Sequence, residues 1–184
     1  MSRRIVQSRG PQRELPSQNS HQHTASEMPE DGGELQMKMR RLEEELRQEK
    51  SEQAYRQLQQ RVTDFIYIAV PRGSTVLIVS KGDDNLLEVP GRRCWHFPRA
   101  INGLYAGCYP ADSREAIEHL QALQGEGAEY LTIPSPSYWW LEFYRGLTWH
   151  LEKRHRLVAF QEDACVVFKL QSRTKDDQFN RSAT

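Results

Sequence analysis

Two aspartates, a lysine and a later group of polar and aromatic residues are the side chains best suited to bind a ligand. They stand in two segments that each follow an apolar, strand-like run: "SKGDD" at 80–84 and "PSPSYW" at 134–139. Because ligands of parallel sheets bind beyond the carboxyl ends of the strands, we expect the two segments to meet there. The candidate ligand-binding residues are Lys81, Asp83, Asp84, Ser135, Ser137, Tyr138 and Trp139.

The chemistry of these side chains points to a polar ligand. Lys81 could meet a phosphate or carboxylate, Asp83 or Asp84 could accept hydrogen bonds from hydroxyls, and an aromatic ring at 138–140 could stack on a sugar or base. The paired carboxylates could also hold a divalent ion. An alternative stays open, because adjacent aspartates in a loop commonly form turns or cap helices.

No sequence motif defines a reaction. The phosphate-binding pattern Gly-x₄-Gly-Lys-Ser/Thr is missing, no Gly-x-Gly-x-x-Gly follows the first strand, and the Asp-x-Asp metal motif of transferases is missing as well. Cys94 and His96 would share one face of a strand, but no third group orients them, and a histidine between Trp95 and Phe97 is typical of a structural residue. We therefore expect no cofactor and no metal, and the catalytic residues, if there are any, stay unknown.

The elements that must position these residues alternate between strand and helix. Asp112 or Ser113 is expected to cap a helix whose buried stripe is Ile117, Leu120 and Leu123. A second helix is expected after 137, with an apolar face of Trp139, Trp140, Phe143, Leu147 and Leu151. The strands at 156–160 and 165–170 are joined by a hairpin-length connection and should be antiparallel near a sheet edge. The predicted fold is α/β, a mostly parallel Rossmann-like three-layer sheet with an antiparallel edge hairpin.

The rest of the chain is more polar. Residues 1–33 predict a disordered arm, 34–69 a coiled-coil-like helix, 70–170 the α/β domain and 171–184 a disordered tail. Within the helix, apolar residues step by four and three at Leu35, Met39, Leu42 and Leu46, and a second stripe runs through Tyr55, Leu58, Val62 and Phe65 in another register. Since a lone polar helix is marginal in water, we expect a homo-oligomer formed through residues 34–69, most simply a dimer.

The composition excludes several classes of protein. The 184 residues include 25 basic and 25 acidic ones, which argues against a protein-wide basic field for nucleic acid. No run of eighteen apolar residues predicts a transmembrane segment, and the basic N-terminus lacks the apolar core of a secretory signal. Three cysteines without close spacing fit a reducing cytoplasm.

Residues 62–170 resemble a bacterial α/β domain found beside glycosyltransferase modules in large proteins of surface-polysaccharide loci, often after a coiled coil. The resemblance is carried by "SKGDD", "WHFP", "YPADS" and "WWLE". It implies partnership with glycosyltransferase proteins, but it assigns no reaction, and this chain carries no attached transferase module.

Two functions follow as hypotheses. The first is a non-catalytic, oligomeric binding or scaffold module that works beside enzymes of surface-polysaccharide synthesis. The alternative is a small transferase-like enzyme that processes a sugar or nucleotide sugar in the cleft at the strand ends. The missing metal and phosphate motifs favour the first.

Overall fold

A computed structural model describes residues 31–171. The helices and strands, in chain order, are α1 (Asp31–Ala69), β1 (Thr75–Ile78), β2 (Arg93–His96), α2 (Ser113–Gly125), β3 (Tyr130–Pro134), α3 (Trp139–Phe143), α4 (Arg145–Arg154), β4 (Arg156–Gln161) and β5 (Cys165–Lys169). Short 3₁₀ turns lie at Asp84–Leu87 and Ser135–Ser137. The predicted arm and tail fall almost entirely outside the described residues. The helix begins at Asp31, slightly before the start expected at residue 34.

The strands form one mixed sheet in the order β2-β1-β3-β5-β4. β1 pairs in parallel with β2 and β3, and β5 runs antiparallel to both β3 and β4. The predicted α/β class and the antiparallel pairing of the last two strands are therefore confirmed. The parallel arrangement brings the carboxyl ends of β1, β2 and β3 to one edge of the sheet.

One face of the sheet is covered by α2 and α4. Asp112 caps α2 by accepting a hydrogen bond from the Glu115 amide, as the sequence predicts, at 2.8 Å. Its apolar face, which includes Leu120 and Leu123, packs with Leu147 and Leu151 of α4 on the sheet side chains of Leu77 and Leu131, among others. β1 and β3 are buried along their whole lengths because helices cover both of their faces.

The opposite face is covered by the second half of α1. Val62 and Ile66 are fully buried there, and Leu58 and Phe65 pack against the same cluster, whose sheet side includes Val76, Ile78 and Val167. The second apolar stripe of the helix thus has a partner within its own chain. The chain divides between Glu43 and Glu44 into two units, so this packing belongs to the larger one.

The described part of the smaller unit is the beginning of α1. Lys38 and Glu34 form an ion pair at 2.7 Å on this segment, with both side chains mostly exposed. Leu35, Met39 and Leu42 are more than half exposed, as is Leu46 at the start of the larger unit. Whether this first stripe forms a coiled coil stays a prediction.

The prediction of one continuous helix after residue 137 was wrong, because the helix is interrupted at Tyr144 and divides into α3 and α4. Tyr144 leaves helical dihedrals at φ −93° and ψ 63° while its hydroxyl donates to the Pro110 carbonyl at 2.7 Å. The Thr148 hydroxyl donates to the Leu141 carbonyl, an acceptor near the break, at 2.7 Å. The burial of the Tyr144 ring over the core stabilises this interruption.

Candidate functional site

The two candidate loops lie side by side at the carboxyl edge of β1 and β3. The Val79 amide donates to the Thr132 carbonyl at 3.0 Å, which extends the pairing with β3 one residue beyond β1. The Lys81 ammonium donates to the Pro136 carbonyl at 2.9 Å and joins the tips of the loops. The parallel topology thus produces the juxtaposition that the sequence implies.

The turn after β1 depends on left-handed backbone at two successive residues. Lys81 has a φ of 55° and Gly82 a φ of 87°. A Cβ atom at Gly82 would lie 3.1 Å from Cδ1 of Tyr105, so this position requires glycine for its dihedral angles and for its space. After this turn, the side chains of Asp83 and Asp84 contact different parts of the protein.

Asp83 is engaged inside the molecule. Its Oδ2 accepts from the Tyr55 hydroxyl at 2.6 Å and from Gln59 Nε2 at 2.7 Å, both on α1, while its Oδ1 accepts from the Asn85 amide at 3.0 Å. Burial alone would raise the pKa of this carboxyl, but the hydrogen bonds outweigh it and hold the pKa below its ordinary value. Asp83 therefore anchors the loop to α1.

Asp84 instead faces solvent and a buried histidine. Its side chain is 87% exposed, and its Oδ1 lies 3.0 Å from His96 Nε2. Ser80 Oγ lies within hydrogen-bond distance of the other ring nitrogen, 2.6 Å from His96 Nδ1.

Ser80, His96 and Asp84 thus have the residue types of a catalytic triad, but substrate cannot reach the serine. Ser80 is 2% exposed and His96 4% exposed, so the hydroxyl cannot reach a substrate in solution, while the carboxylate at the far end is open. These contacts connect the end of β1, the end of β2 and the loop at 81–84. The Asp84 carboxylate stays exposed at the surface, 3.0 Å from His96 Nε2.

The structure separates the residues predicted from the second loop. Ser137 is 2% exposed and lies near the Val79 carbonyl, so it is unavailable to a ligand. The Tyr138 hydroxyl donates to the Gln161 carbonyl at 2.8 Å, its ring stacks on Phe160, and burial raises the pKa of Tyr138 to about 12. Ser135 is half-buried, and its amide donates to the Ala164 carbonyl at 2.8 Å.

Trp139 remains partly exposed, one residue after the Ser135–Ser137 turn of the second loop. Its ring lies 5.3 Å from that of Tyr109 and 6.0 Å from that of Phe143, both edge-on. The three side chains are 36%, 43% and 66% exposed for Trp139, Tyr109 and Phe143 respectively. These three rings form the aromatic row, which adjoins the second loop through Trp139.

Two tyrosines that no sequence pattern indicated, Tyr105 and Tyr109, lie between these parts. Tyr105 packs against Gly82 and lies 6.1 Å, ring to ring, from His96. Burial raises the pKa of Tyr105, and the neighbouring Tyr109 adds to the effect. The signal was present as two tyrosines in the glycine-rich "GLYAGCYP", between the second strand and α2.

The site contains no activated thiol. Cys94 and His96 do not pair as the shared strand face allowed, because the two ring nitrogens of His96 face Ser80 Oγ and Asp84 Oδ1. Burial raises the pKa of the Cys94 thiol to about 11, so the thiolate is scarce at neutral pH. Within residues 31–171, no three histidine, cysteine or acidic side chains are grouped to hold a metal ion.

Comparison with protein-family models, curated proteins and solved structures found no match for this chain. In the part of the chain that the structure describes, no helix combines the length and apolar character needed to cross a membrane.

Proposed function

We propose that this protein is an oligomeric, non-catalytic binding module that takes a saccharide or nucleotide sugar at the strand-end site. The observation that carries the proposal is the meeting of the two loops through Lys81 and Pro136, with an open Asp84 and an open Trp139 beside them. A site of a few oriented polar groups bordered by aromatic rings is typical of small-ligand binding.

The biological setting of the proposal comes from the resemblance. The motifs around "SKGDD" and "WWLE" support a role beside glycosyltransferases in surface-polysaccharide synthesis. The three cysteines without close spacing support a reducing cytoplasm as the compartment. The coiled-coil-like start of α1 would provide the oligomer. The order β2-β1-β3 of the parallel strands supports the Rossmann-like description of this half of the sheet.

The alternative, a sugar-processing enzyme, rests on the Ser80, His96 and Asp84 chain. The burial of the serine counts against it. Incubation of UDP-glucose and oligosaccharides with the purified protein, followed by product analysis, separates the two functions. We expect no turnover, and hydrolysis or transfer that disappears in Ser80→Ala would favour the enzyme.

Binding is tested by amide NMR of the full-length protein during titration with UDP-glucose and with oligosaccharides. We expect shifts at 80–85 and 135–139 with at least one of these ligands. Shifts confined to α1, or to the amino ends of the strands, would place the site elsewhere.

A further inference from the structure

The helix N-termini near the strand-end site are already occupied by side chains of the protein. At α2, the Asp112 carboxylate accepts from the Glu115 amide at 2.8 Å, and Glu115 Oε2 accepts from the Ala111 amide at 2.6 Å. At α4, the Gly146 amide donates to Ser113 Oγ at 3.1 Å. A phosphate is bound at a helix N-terminus through free amides and the positive dipole end, and two carboxylates already use these at α2.

The charges of the first loop also disfavour an anion. Its segment 81–84 carries one ammonium and two carboxylates, and the ammonium of Lys81 is already hydrogen-bonded to the Pro136 carbonyl. Asp83 is ionised at neutral pH, because its pKa lies below the ordinary value. A diphosphate or a uronate placed here would meet more negative than positive charge.

The remaining features fit an uncharged, hydroxyl-rich molecule. The aromatic row of Tyr109, Trp139 and Phe143 offers apolar rings that can cover the C–H face of a sugar. Asp84, which is 87% exposed and lies 3.0 Å from His96 Nε2, offers carboxylate oxygens that accept from sugar hydroxyls. Tyr105 and Tyr109 connect these two parts across Gly82 and His96.

We propose that the strand-end site binds an uncharged saccharide chain, with Trp139 as the ring that covers a sugar face and Asp84 as the hydroxyl acceptor. This inference rests on the proposed binding function and narrows its ligand class. It assigns Lys81 to the structure of the loop rather than to recognition of a phosphate. Binding should therefore depend little on salt, since no ion pair forms.

The experiment uses the full-length protein on a glycan array that carries neutral and uronic-acid glycans, with UDP-glucose titrated separately by amide NMR. We expect neutral glycans to be retained. Trp139→Ala should weaken their binding by about tenfold or more, as the loss of a central aromatic contact does. Asp84→Asn should weaken it as well. Lys81→Gln is used only in the UDP-glucose titration, where it tests recognition of a phosphate.

The matched control is Trp149→Ala, because Trp149 is also a surface tryptophan, 61% exposed, on α4. Melting curves of all four variants exclude unfolding as the cause of lost binding. Retention of acidic glycans alone, or UDP-glucose shifts at 80–85 that Lys81→Gln abolishes, would overturn the ligand class and leave the binding function standing. Loss of neutral binding in Trp149→Ala but not in Trp139→Ala would overturn the assigned site. No binding of any glycan and no shift with UDP-glucose would overturn both proposals.

Discussion

Two histidines at the end of α4 are held in the uncharged form. The rings of His150 and His155 lie 5.2 Å apart, and His155 Nδ1 accepts from the Gln171 amide at 3.1 Å. Burial lowers the pKa of His155 to about 4, and the neighbouring His150 and Arg154 add to the effect. Burial and Arg154 also lower the pKa of His150.

This pair makes stability depend on pH. As the pH falls, an unfolded histidine binds a proton near its ordinary pKa of 6.5, whereas folded His155 binds one only near pH 4. Uncharged His155 therefore contributes fully to the free energy of unfolding above pH 6.5, and this contribution is lost as the pH falls towards 4. We expect urea denaturation to show a falling free energy of unfolding across this window and a shallower fall in His155→Asn. Identical pH profiles for the two proteins would refute the assignment.

At the residue scale, sequence identifies the chemical types in the site but not their roles. Asp83 and Asp84 are adjacent and identical in kind, yet one anchors the loop and the other faces solvent. The difference comes from Tyr55 and Gln59, which lie 28 and 24 residues earlier on α1 and reach Asp83 only in the folded chain. Side chains that meet through tertiary packing leave no local pattern in the sequence.

At the scale of elements, the adjacent tryptophans of α3 have opposite environments. Trp140 is fully buried against Phe97 and Tyr144, whereas Trp139 is 36% exposed. We expect Trp140→Ala to lower the free energy of unfolding by about 3–5 kcal/mol, the usual cost of truncating a buried aromatic residue. Trp139→Ala should cost clearly less. Equal losses in chemical denaturation would show that α3 packs differently.

The second half of α1 supplies a comparison on a single helix. Ile66 is fully buried against the sheet, and Ile68, two positions later, is 82% exposed. Truncating a buried isoleucine to alanine costs about 2–5 kcal/mol, and exposed truncations usually change stability by less than about 0.5 kcal/mol. We expect Ile66→Ala to destabilise the protein accordingly in urea denaturation and Ile68→Ala to leave it near wild type. The reverse order would mean that the helix presents another face.

Sequence periodicity predicted α1 and α2 well but could not choose the partner of an apolar stripe. Val62 and Phe65 repeat with the spacing of a coiled-coil seam, and a sheet of the same chain offers the same apolar surface as a second copy would. The break at Tyr144 was also hidden, because the residues on both sides keep helical spacing. It depends on a distant carbonyl at Pro110, which the pattern does not contain.

At the scale of the molecule, the sheet could be predicted from composition because β1 and β3 are apolar on both faces and need cover on both sides.

The edge strand β4 is different. Leu157 and Phe160 are 54% and 59% exposed on it, and its pairing with β5 is interrupted by a register shift between Leu157 and Ala159. Such an irregularity discourages pairing between edges, so association through this strand is disfavoured. The first stripe of α1 is the better candidate for self-association.

That stripe carries the last prediction. Leu35, Met39, Leu42 and Leu46 are each between 54% and 59% exposed and repeat with coiled-coil spacing. We expect light scattering to show an oligomer at about 10 µM, which requires roughly −7 kcal/mol of association free energy. Leu42→Glu should dissociate the oligomer, because a charge in the seam is costly to bury. The melting temperature of the α/β domain in the dissociated protein should not fall.

Gln36→Glu is the matched control, since it adds the same charge beside the seam rather than in it. A chain that begins at Glu44 should be monomeric and folded, because it keeps Val62 and Ile66 on the sheet. A chain that begins at Val70 would lose that cover and is expected to unfold, so it cannot serve as the monomeric reference. If the full-length protein is monomeric at this concentration, the exposed stripe does not bind a second copy and the oligomeric part of the proposed function fails.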